Sequence, residues 1–341
     1  MQTYLEDIQS QPACLMGCVE AQDAQRLLAL QRLCGRDWRR IIFTGMGSSN
    51  YCAIPAVQHL MAKGRMALRL SAAELLHYGL PLVDAQTLLV INSQSGESAE
   101  VIRLLERLGG GERVIAVTND PGSTLGRMAS FSLPIAAAPE RSVTTRTYLH
   151  AIVLDLLIAH ALCGQPLQEL LESVRGAAKA MRTFLADSGA ACDALHRALS
   201  SPGQLCLMGR GCSFTTACAG ALFLREVSRF PAFYEQCGEF RHGPMEMVDD
   251  TFHGILIAPR EKTFPLQKRL AEDIVSHGGH LAVIANERID GVETIVVPEV
   301  EDELSALVTI LPVQLYAEDM ARRRGIEAGA FRWGGKITRT E

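Results

Sequence analysis

The sequence predicts an α/β protein with two doubly wound parallel sheets, each flanked by helices. Short runs rich in β-branched residues alternate with longer helical patterns along all 341 residues. Because apolar runs of about four to eight residues are typical of strands buried on both faces, this alternation indicates strand–turn–helix units in series. The two halves of the chain also share one pattern, which indicates that a whole domain was duplicated.

Seven runs fit buried strands. Three lie in the first half, at Arg40–Thr44, Thr87–Asn92 and Arg113–Thr118. Four lie in the second half, at Leu205–Met208, His253–Ala258, His280–Ala285 and Glu293–Val297. We expect a first domain over residues 25–165, a second over 190–325, and a C-terminal tail over 326–341 that contributes to the functional site.

The halves resemble each other most clearly at a glycine turn. Phe43–Ala53 is FTGMGSSNYCA and Leu207–Ala217 is LMGRGCSFTTA, and each has Gly-x-Gly between a buried strand and a helix. A dinucleotide fingerprint is the rival interpretation, but Asn50 occupies the position of its third glycine. The missing glycine therefore disfavours a dinucleotide site at this turn.

Composition excludes several classes of function. The net charge of −5 and the pI near 6.0 do not indicate a nucleic-acid or membrane-surface partner. The ten cysteines include no zinc-type spacing, so we expect no metal and no other cofactor. The polar, acidic N-terminus is unlike a signal peptide, and Asp155 interrupts the short apolar stretch Ala151–Cys163. We expect a cytoplasmic protein.

The segment Ile91–Glu100, INSQSGESAE, gives the sharpest signal for a ligand. A buried strand ends at Asn92, serine and glutamine residues follow, and Ser98 opens a helix. Backbone N–H groups and hydroxyls at the positive end of a helix dipole suit a phosphate group. The alternative is an ordinary turn in which Ser98 is only a helix N-cap.

Two further segments carry titratable groups. Glu226 lies among apolar residues of a predicted helix, and His242 lies on a turn before Gly243 and Pro244. A partly buried carboxylate and an imidazole can both move protons near neutral pH, although an ion-paired glutamate and a loop histidine are the alternatives. Lys336, in FRWGGKITRTE, could hold an anion, form a Schiff base, or belong to a solvated tail.

These segments, in this order, resemble the double-SIS (sugar isomerase) family of phosphosugar isomerases. SQSGE after a buried strand and EFRHGP in the second half are the specific matches. The resemblance implies two SIS domains and a homodimer whose active site is shared between subunits. It assigns sugar-phosphate binding to Ser48, Ser49, Ser93, Gln94, Ser95, Ser98, Val143 and Thr145.

The same resemblance implies three catalytic groups. Glu226 matches a glutamate that moves a proton between sugar carbons one and two. His242 matches a histidine that opens the sugar ring and comes from the neighbouring subunit. Lys336 matches a C-terminal lysine near the carbonyl carbon.

Different segments of the chain resemble different subgroups of the family. Phe223–Glu226 lacks a lysine of the glucosamine-6-phosphate synthase pattern, and the family's other glutamate falls on Ala219. Cys237–Asp250 resembles the fructosamine-6-phosphate deglycases, while the serine segment and Lys336 resemble the synthase and the deaminases.

Without a glutaminase domain or a terminal cysteine nucleophile, we expect no complete synthase. We expect an enzyme that acts on a 6-phosphorylated ketosamine or amino sugar by deglycation or deamination–isomerisation. The alternative is a non-catalytic phosphosugar sensor, which would need neither Glu226 nor His242.

Overall fold

A computed structural model describes residues 3–109, 111–200 and 202–340, which form two compact units. The first unit comprises Ala13–Arg175 and the C-terminal segment from Phe331 onward. The second unit comprises the N-terminal residues up to Pro12 and Gly176–Ala330. The last residues of the chain therefore belong with the unit formed by its first half.

Across the described residues, each unit has one parallel sheet of five strands. The first contains β1 (Arg40–Gly45), β2 (Ala67–Ser71), β3 (Thr87–Asn92), β4 (Gly111–Thr118) and β5 (Ala129–Pro134), in the order β2-β1-β3-β4-β5. The second contains β6 (Leu205–Gly209), β7 (Ala232–Gln236), β8 (His253–Ile257), β9 (His280–Ala285) and β10 (Glu293–Val296), in the order β10-β9-β8-β6-β7. The two orders correspond strand for strand, so the predicted fold class is confirmed.

Three strands were not predicted from the sequence: β2, β5 and β7. Each lies at the edge of its sheet, where only one neighbouring strand covers it. Their side chains are mostly half-buried, whereas β3 is buried at every position. An edge strand tolerates polar residues such as those of ALRLS and AFYEQ, so it lacks the uniform apolar signal of a central strand.

Helices connect the strands of both units. The described α-helices are α1 (Tyr4–Glu20), α2 (Ala24–Cys34), α3 (Ser48–Tyr51), α4 (Ile54–Ala62), α5 (Ala72–Glu74), α6 (Ala99–Leu108), α7 (Thr124–Met128), α8 (Arg146–Leu162), α9 (Leu167–Ala186), α10 (Gly189–Leu199), α11 (Phe214–Val227), α12 (Cys237–Phe240), α13 (Phe264–Ser276) and α14 (Ser305–Arg323). Within these ranges, no helix has the length and unbroken apolar character needed to cross a bilayer.

In each sheet, the first strand in the chain is followed by one strand on one side and by the remaining strands on the other. This reversal of strand order falls between β1 and β3 in the first unit and between β6 and β8 in the second. Ligands of open parallel sheets bind beyond the carboxyl ends of the strands at this reversal. In the first unit that position is occupied by the turn after β1 and the serine-rich loop after β3. The sheet order thus brings together the two loops that the sequence associates with a phosphate.

Asp155 is a fully buried carboxyl at the middle of α8. Its Oδ2 accepts hydrogen bonds from Asn92 Nδ2 (2.9 Å) and from Cys52 Sγ (3.5 Å). Burial raises the pKa of Asp155 to about 8, against the opposing effect of these two donors. Asp155 is therefore protonated at neutral pH and joins α8 to the end of β3 and to the residue after α3.

We expect Asp155→Asn to remove a pH dependence of stability. The carboxyl keeps its proton in the folded chain to about pH 8 but loses it in the unfolded chain near pH 4. The wild type should therefore lose stability relative to the variant from about pH 4 to 8, by roughly 1 kcal/mol per pH unit, and level off above. Urea unfolding at several pH values measures this; parallel pH profiles would contradict it.

Candidate functional site

The loop between β3 and α6, Ser93–Ser98, is here called the serine loop. Its backbone is held by the next strand connection: Ser93 N donates to the carbonyl of Val117 (3.0 Å), and Asn119 N donates to the carbonyl of Gln94 (3.0 Å). Gly96 has a φ of +66°, and a Cβ there would lie 2.0 Å from Ser123 Oγ. Only glycine fits this position, which fixes the course of the loop.

The hydroxyls of the serine loop face one another or their own backbone. Ser93 Oγ accepts from Gly96 N (3.1 Å) and lies 3.4 Å from Ser98 Oγ. Ser95 Oγ accepts from Glu97 N (3.2 Å). Ser98 occupies the N-cap position of α6, but its hydroxyl makes no capping hydrogen bond. Ser98 is therefore the N-cap residue by position, but its hydroxyl does not cap α6 and can donate to a ligand.

The turn after β1 lies against the serine loop. A Cβ on Gly45 would lie 2.7 Å from the carbonyl oxygen of Asn92, so the two strand ends approach as closely as glycine allows. Gly47, with a φ of +54°, precedes Ser48 and Ser49 at the start of α3. A small cavity between these segments is lined by Ser48, Ser49, Asn92, Ser93, Gln94, Ile135, Thr144, Thr147, Tyr148 and Ala151.

Glu140, which belongs to no motif recognised in the sequence, organises the segment before α8. Its buried carboxylate accepts from the backbone N–H of Thr145 (2.8 Å) and of Thr147 (2.9 Å), and from both threonine hydroxyls. An acid at the N-terminus of a helix is a favourable arrangement. The predicted residues Val143 and Thr145 are themselves fully buried within this segment. The only sequence signal for Glu140 is an acid shortly before a threonine-rich helix start.

The C-terminal tail lies beside this segment and the serine loop. Lys336 Nζ is 3.4 Å from Glu140 Oε2, and about a third of the lysine side chain is exposed. Ala99 N, in the first turn of α6, donates to the carbonyl of Thr338 (3.1 Å). Of the predicted binding residues, the cavity brings together Ser48, Ser49, Ser93 and Gln94, whereas Ser95, Ser98, Val143 and Thr145 are not among its lining residues. The tail with Lys336 contacts Glu140 and Ala99, so it is not merely solvated.

Glu226 lies in the last turn of α11, next to the buried side chains of Leu224 and Val227. Burial raises the pKa of the Glu226 carboxyl to about 7, and the neighbouring Arg225 opposes the shift. A carboxyl with this pKa exists in both protonation states near neutral pH, as a general acid–base catalyst requires. The structure thus gives Glu226 the environment that its apolar sequence neighbours indicate.

His242 is exposed on the turn that follows α12. Its backbone N–H donates to the carbonyl of Glu239 (2.8 Å), and Gly243 follows with a φ of +135°. The imidazole is presented to the outside of the second unit, where a separate molecule can reach it. Both Glu226 and His242 belong to this unit, whereas the serine loop and Lys336 belong to the first.

Comparison with known proteins identifies both halves of the chain with one family. The family model described as SIS domain matches residues 36–160 and 198–321. Glutamine–fructose-6-phosphate aminotransferase (isomerizing) of Shouchella clausii is 30% identical over 95% of this chain, and that of Encephalitozoon cuniculi is 28% identical over 86%. The chain spans about half the length of these relatives, 56% and 44%.

Solved structures share the fold over nearly the whole chain. The C-terminal domain of glucosamine-fructose-6-phosphate aminotransferase from Francisella tularensis matches with a TM-score of 0.82, 21% identity and coverage of 95% and 97% of the two chains. Tagatose-6-phosphate ketose/aldose isomerase from Escherichia coli matches with a TM-score of 0.81, 19% identity and coverage of 95% and 94%. At these identities the likeness establishes the fold alone.

We expect Glu140→Gln to destabilise the first unit by about 2–4 kcal/mol, because an amide offers one acceptor oxygen and turns its NH₂ group toward buried donors. Urea unfolding measures the loss, and limited proteolysis measures release of the tail.

Lys336→Met is the matched control, since it removes only the half-exposed ion pair and should cost less than about 1 kcal/mol. Equal losses in the two variants would show that the threonine contacts of Glu140 contribute nothing beyond the ion pair.

Proposed function

The chain belongs to the SIS-domain family, and on that premise we propose that it is an enzyme acting on a 6-phosphorylated ketosamine or amino sugar. The observation that carries the proposal is the first-unit site, where the serine loop, the turn after β1 and Lys336 lie together. Hydroxyl and backbone donors beside a helix N-terminus suit a phosphate dianion. The sequence relatives, whose names refer to fructose 6-phosphate, support this substrate class.

In the proposed mechanism, the phosphate is anchored by Ser48, Ser49, Ser93, Gln94, Ser95 and Ser98, while the segment containing Val143 and Thr145 borders the sugar. His242 assists opening of the sugar ring. Glu226 then removes or returns a proton at C1 or C2, through an enediol- or enolamine-type intermediate. A pKa near 7 suits this exchange, which is typically worth about 10²–10⁴-fold in rate.

Lys336 serves as a positive charge in this mechanism rather than as a nucleophile. Its ammonium group is paired with the Glu140 carboxylate at 3.4 Å. The charge can stabilise the oxyanion that develops when the open-chain carbonyl becomes an enediolate.

A substrate panel tests the function. Purified protein is assayed with fructoselysine 6-phosphate, fructose-asparagine 6-phosphate, glucosamine 6-phosphate and galactosamine 6-phosphate. Glucose 6-phosphate from an Amadori substrate identifies a deglycase, and ammonia from an amino sugar identifies a deaminase. Glu226→Gln should lower kcat by about 10²-fold or more, and the wild-type rate should rise with pH through about 7 if the carboxylate is the base. Binding without turnover on the whole panel would favour the non-catalytic sensor.

The shared site predicts complementation between two inactive variants. We propose a homodimer in which His242 of one subunit completes the site that contains Glu226 of the other. Equal amounts of Glu226→Gln and His242→Ala are mixed, dissociated and allowed to reassociate. About half of the dimers are then mixed, and one of the two sites in each mixed dimer is intact, so about a quarter of the wild-type activity should return. Persistent inactivity of a mixture whose exchange is verified by mass would show that each chain forms its own site.

A further inference from the structure

The second unit has a loop that corresponds to the serine loop in place and in length. In the first unit Ser93–Ser98 connects β3 to α6, and in the second unit Ala258–Thr263 connects β8 to α13, so both loops have six residues (93 to 98 and 258 to 263). Both strands lie at the reversal of their sheet. The sequences differ, SQSGES against APREKT, so the second loop lacks the hydroxyls of Ser93 and Ser95 and keeps one, that of Thr263, at the position of Ser98.

Glu261 is the fourth residue of the second loop, the position that Gly96 occupies in the first. Gly96 carries no side chain there. Glu261 places a carboxylate at the corresponding site, and it is 91% buried (9% exposed). A buried carboxylate requires hydrogen-bond donors, so its partners identify the groups that converge at this point.

The partners of Glu261 belong to the second-unit counterparts of two elements that line the first-unit cavity, the turn after β1 and α8. Ser305 Oγ, in the first turn of α14, donates to Oε1 (2.9 Å), and the backbone of Ser213 lowers the pKa of this carboxyl. Oε2 lies 3.0 Å from the point that a Cβ on Gly211 would occupy. Counted from the strand ends, Gly211 and Ser213 correspond to Gly47 and Ser49, and α14 corresponds to α8, which contains Thr147.

We propose that the second unit retains an oxyanion cradle, formed by Gly211–Ser213 and Ser305, and that Glu261 fills it as an internal carboxylate. A sugar phosphate is thereby admitted only to the first unit. The second sheet keeps hydrogen-bond donors at the point where its strand order reverses, and the carboxylate of Glu261 accepts their hydrogen bonds. This proposal goes beyond the function of the first-unit site and does not depend on the reaction catalysed there.

The charges around the cradle also oppose a phosphate. Burial, together with the neighbouring Asp302, raises the pKa of Glu261 to about 7, against the Ser305 and Ser213 contacts, which lower it. The Asp302 carboxyl opens the short helix Asp302–Leu304 that leads into α14. A phosphate dianion would therefore meet two carboxyl groups, and removal of Glu261 eliminates the one that occupies the donors.

The experiment counts phosphate ions released on unfolding. The free energy of unfolding in urea is measured at a series of inorganic phosphate concentrations, with potassium chloride holding the ionic strength constant. The slope of this free energy against the logarithm of the phosphate concentration gives the number of phosphate ions bound per folded chain. Glu261→Ala should bind about one phosphate more per chain than the wild type. Glu261→Gly, which introduces the residue found at the first-unit position, should give the same increase.

Glu272→Ala, at an exposed position of α13, is the matched control and should keep the wild-type number. Adding Ser305→Ala to Glu261→Ala should lower the affinity for the additional phosphate ion by about tenfold, because one hydrogen bond to a charged group is lost.

Failure of the proposed function and failure of this inference give different results. If the first unit binds no phosphate, the wild type releases none and Glu261→Ala still releases about one. The inference is overturned if every folded Glu261 variant, checked by circular dichroism, keeps the wild-type number. The inference is also overturned if the wild type itself releases two phosphate ions per chain on unfolding. This measurement requires no variant.

Discussion

The close approach of two strand connections is the constraint on which the rest of each unit depends. In the first unit, Gly45 lets the turn after β1 pack against the carbonyl end of β3, where a Cβ would lie 2.7 Å from the oxygen of Asn92. In the second unit, Ser213 Oγ, in the turn after β6, donates to the carbonyl oxygen of Ile257 at the end of β8 (3.3 Å). Because both sheets reverse their order at this point, backbone N–H groups and hydroxyls from separate loops converge there.

Buried acids hold the surroundings of this point in the first unit. Asp155, protonated in the core, connects α8 to Asn92 at the end of β3. Glu140 stabilises the start of the same helix through two backbone N–H groups and extends to Lys336 in the tail. Each acid satisfies donors that would otherwise be buried without partners, which is costly. The site is therefore positioned by polar contacts beneath and beside it as well as by the sheet.

The two units show how one architecture supports different local chemistry. The serine loop leaves Gly96 without a side chain and presents hydroxyls, while the second loop carries Glu261 at the corresponding position. The second unit also contains Glu226, whose partial burial raises the pKa of its carboxyl to about 7. Duplication followed by divergence thus explains why corresponding loops carry hydroxyls in one half of the chain and a buried carboxylate in the other.

The sequence by itself determined the fold class, the central strands, the serine loop and the residues Glu226, His242 and Lys336 as candidates, because uniform apolar runs and local motifs depend only on neighbouring residues. Only the tertiary structure decided the edge strands β2, β5 and β7, whose half-exposed faces leave no uniform pattern. It alone also revealed Glu140 with Lys336, 196 positions apart, and Glu261 with Ser305, 44 positions apart. Such pairs have no sequence signal, since folding brings their donors and acceptors together.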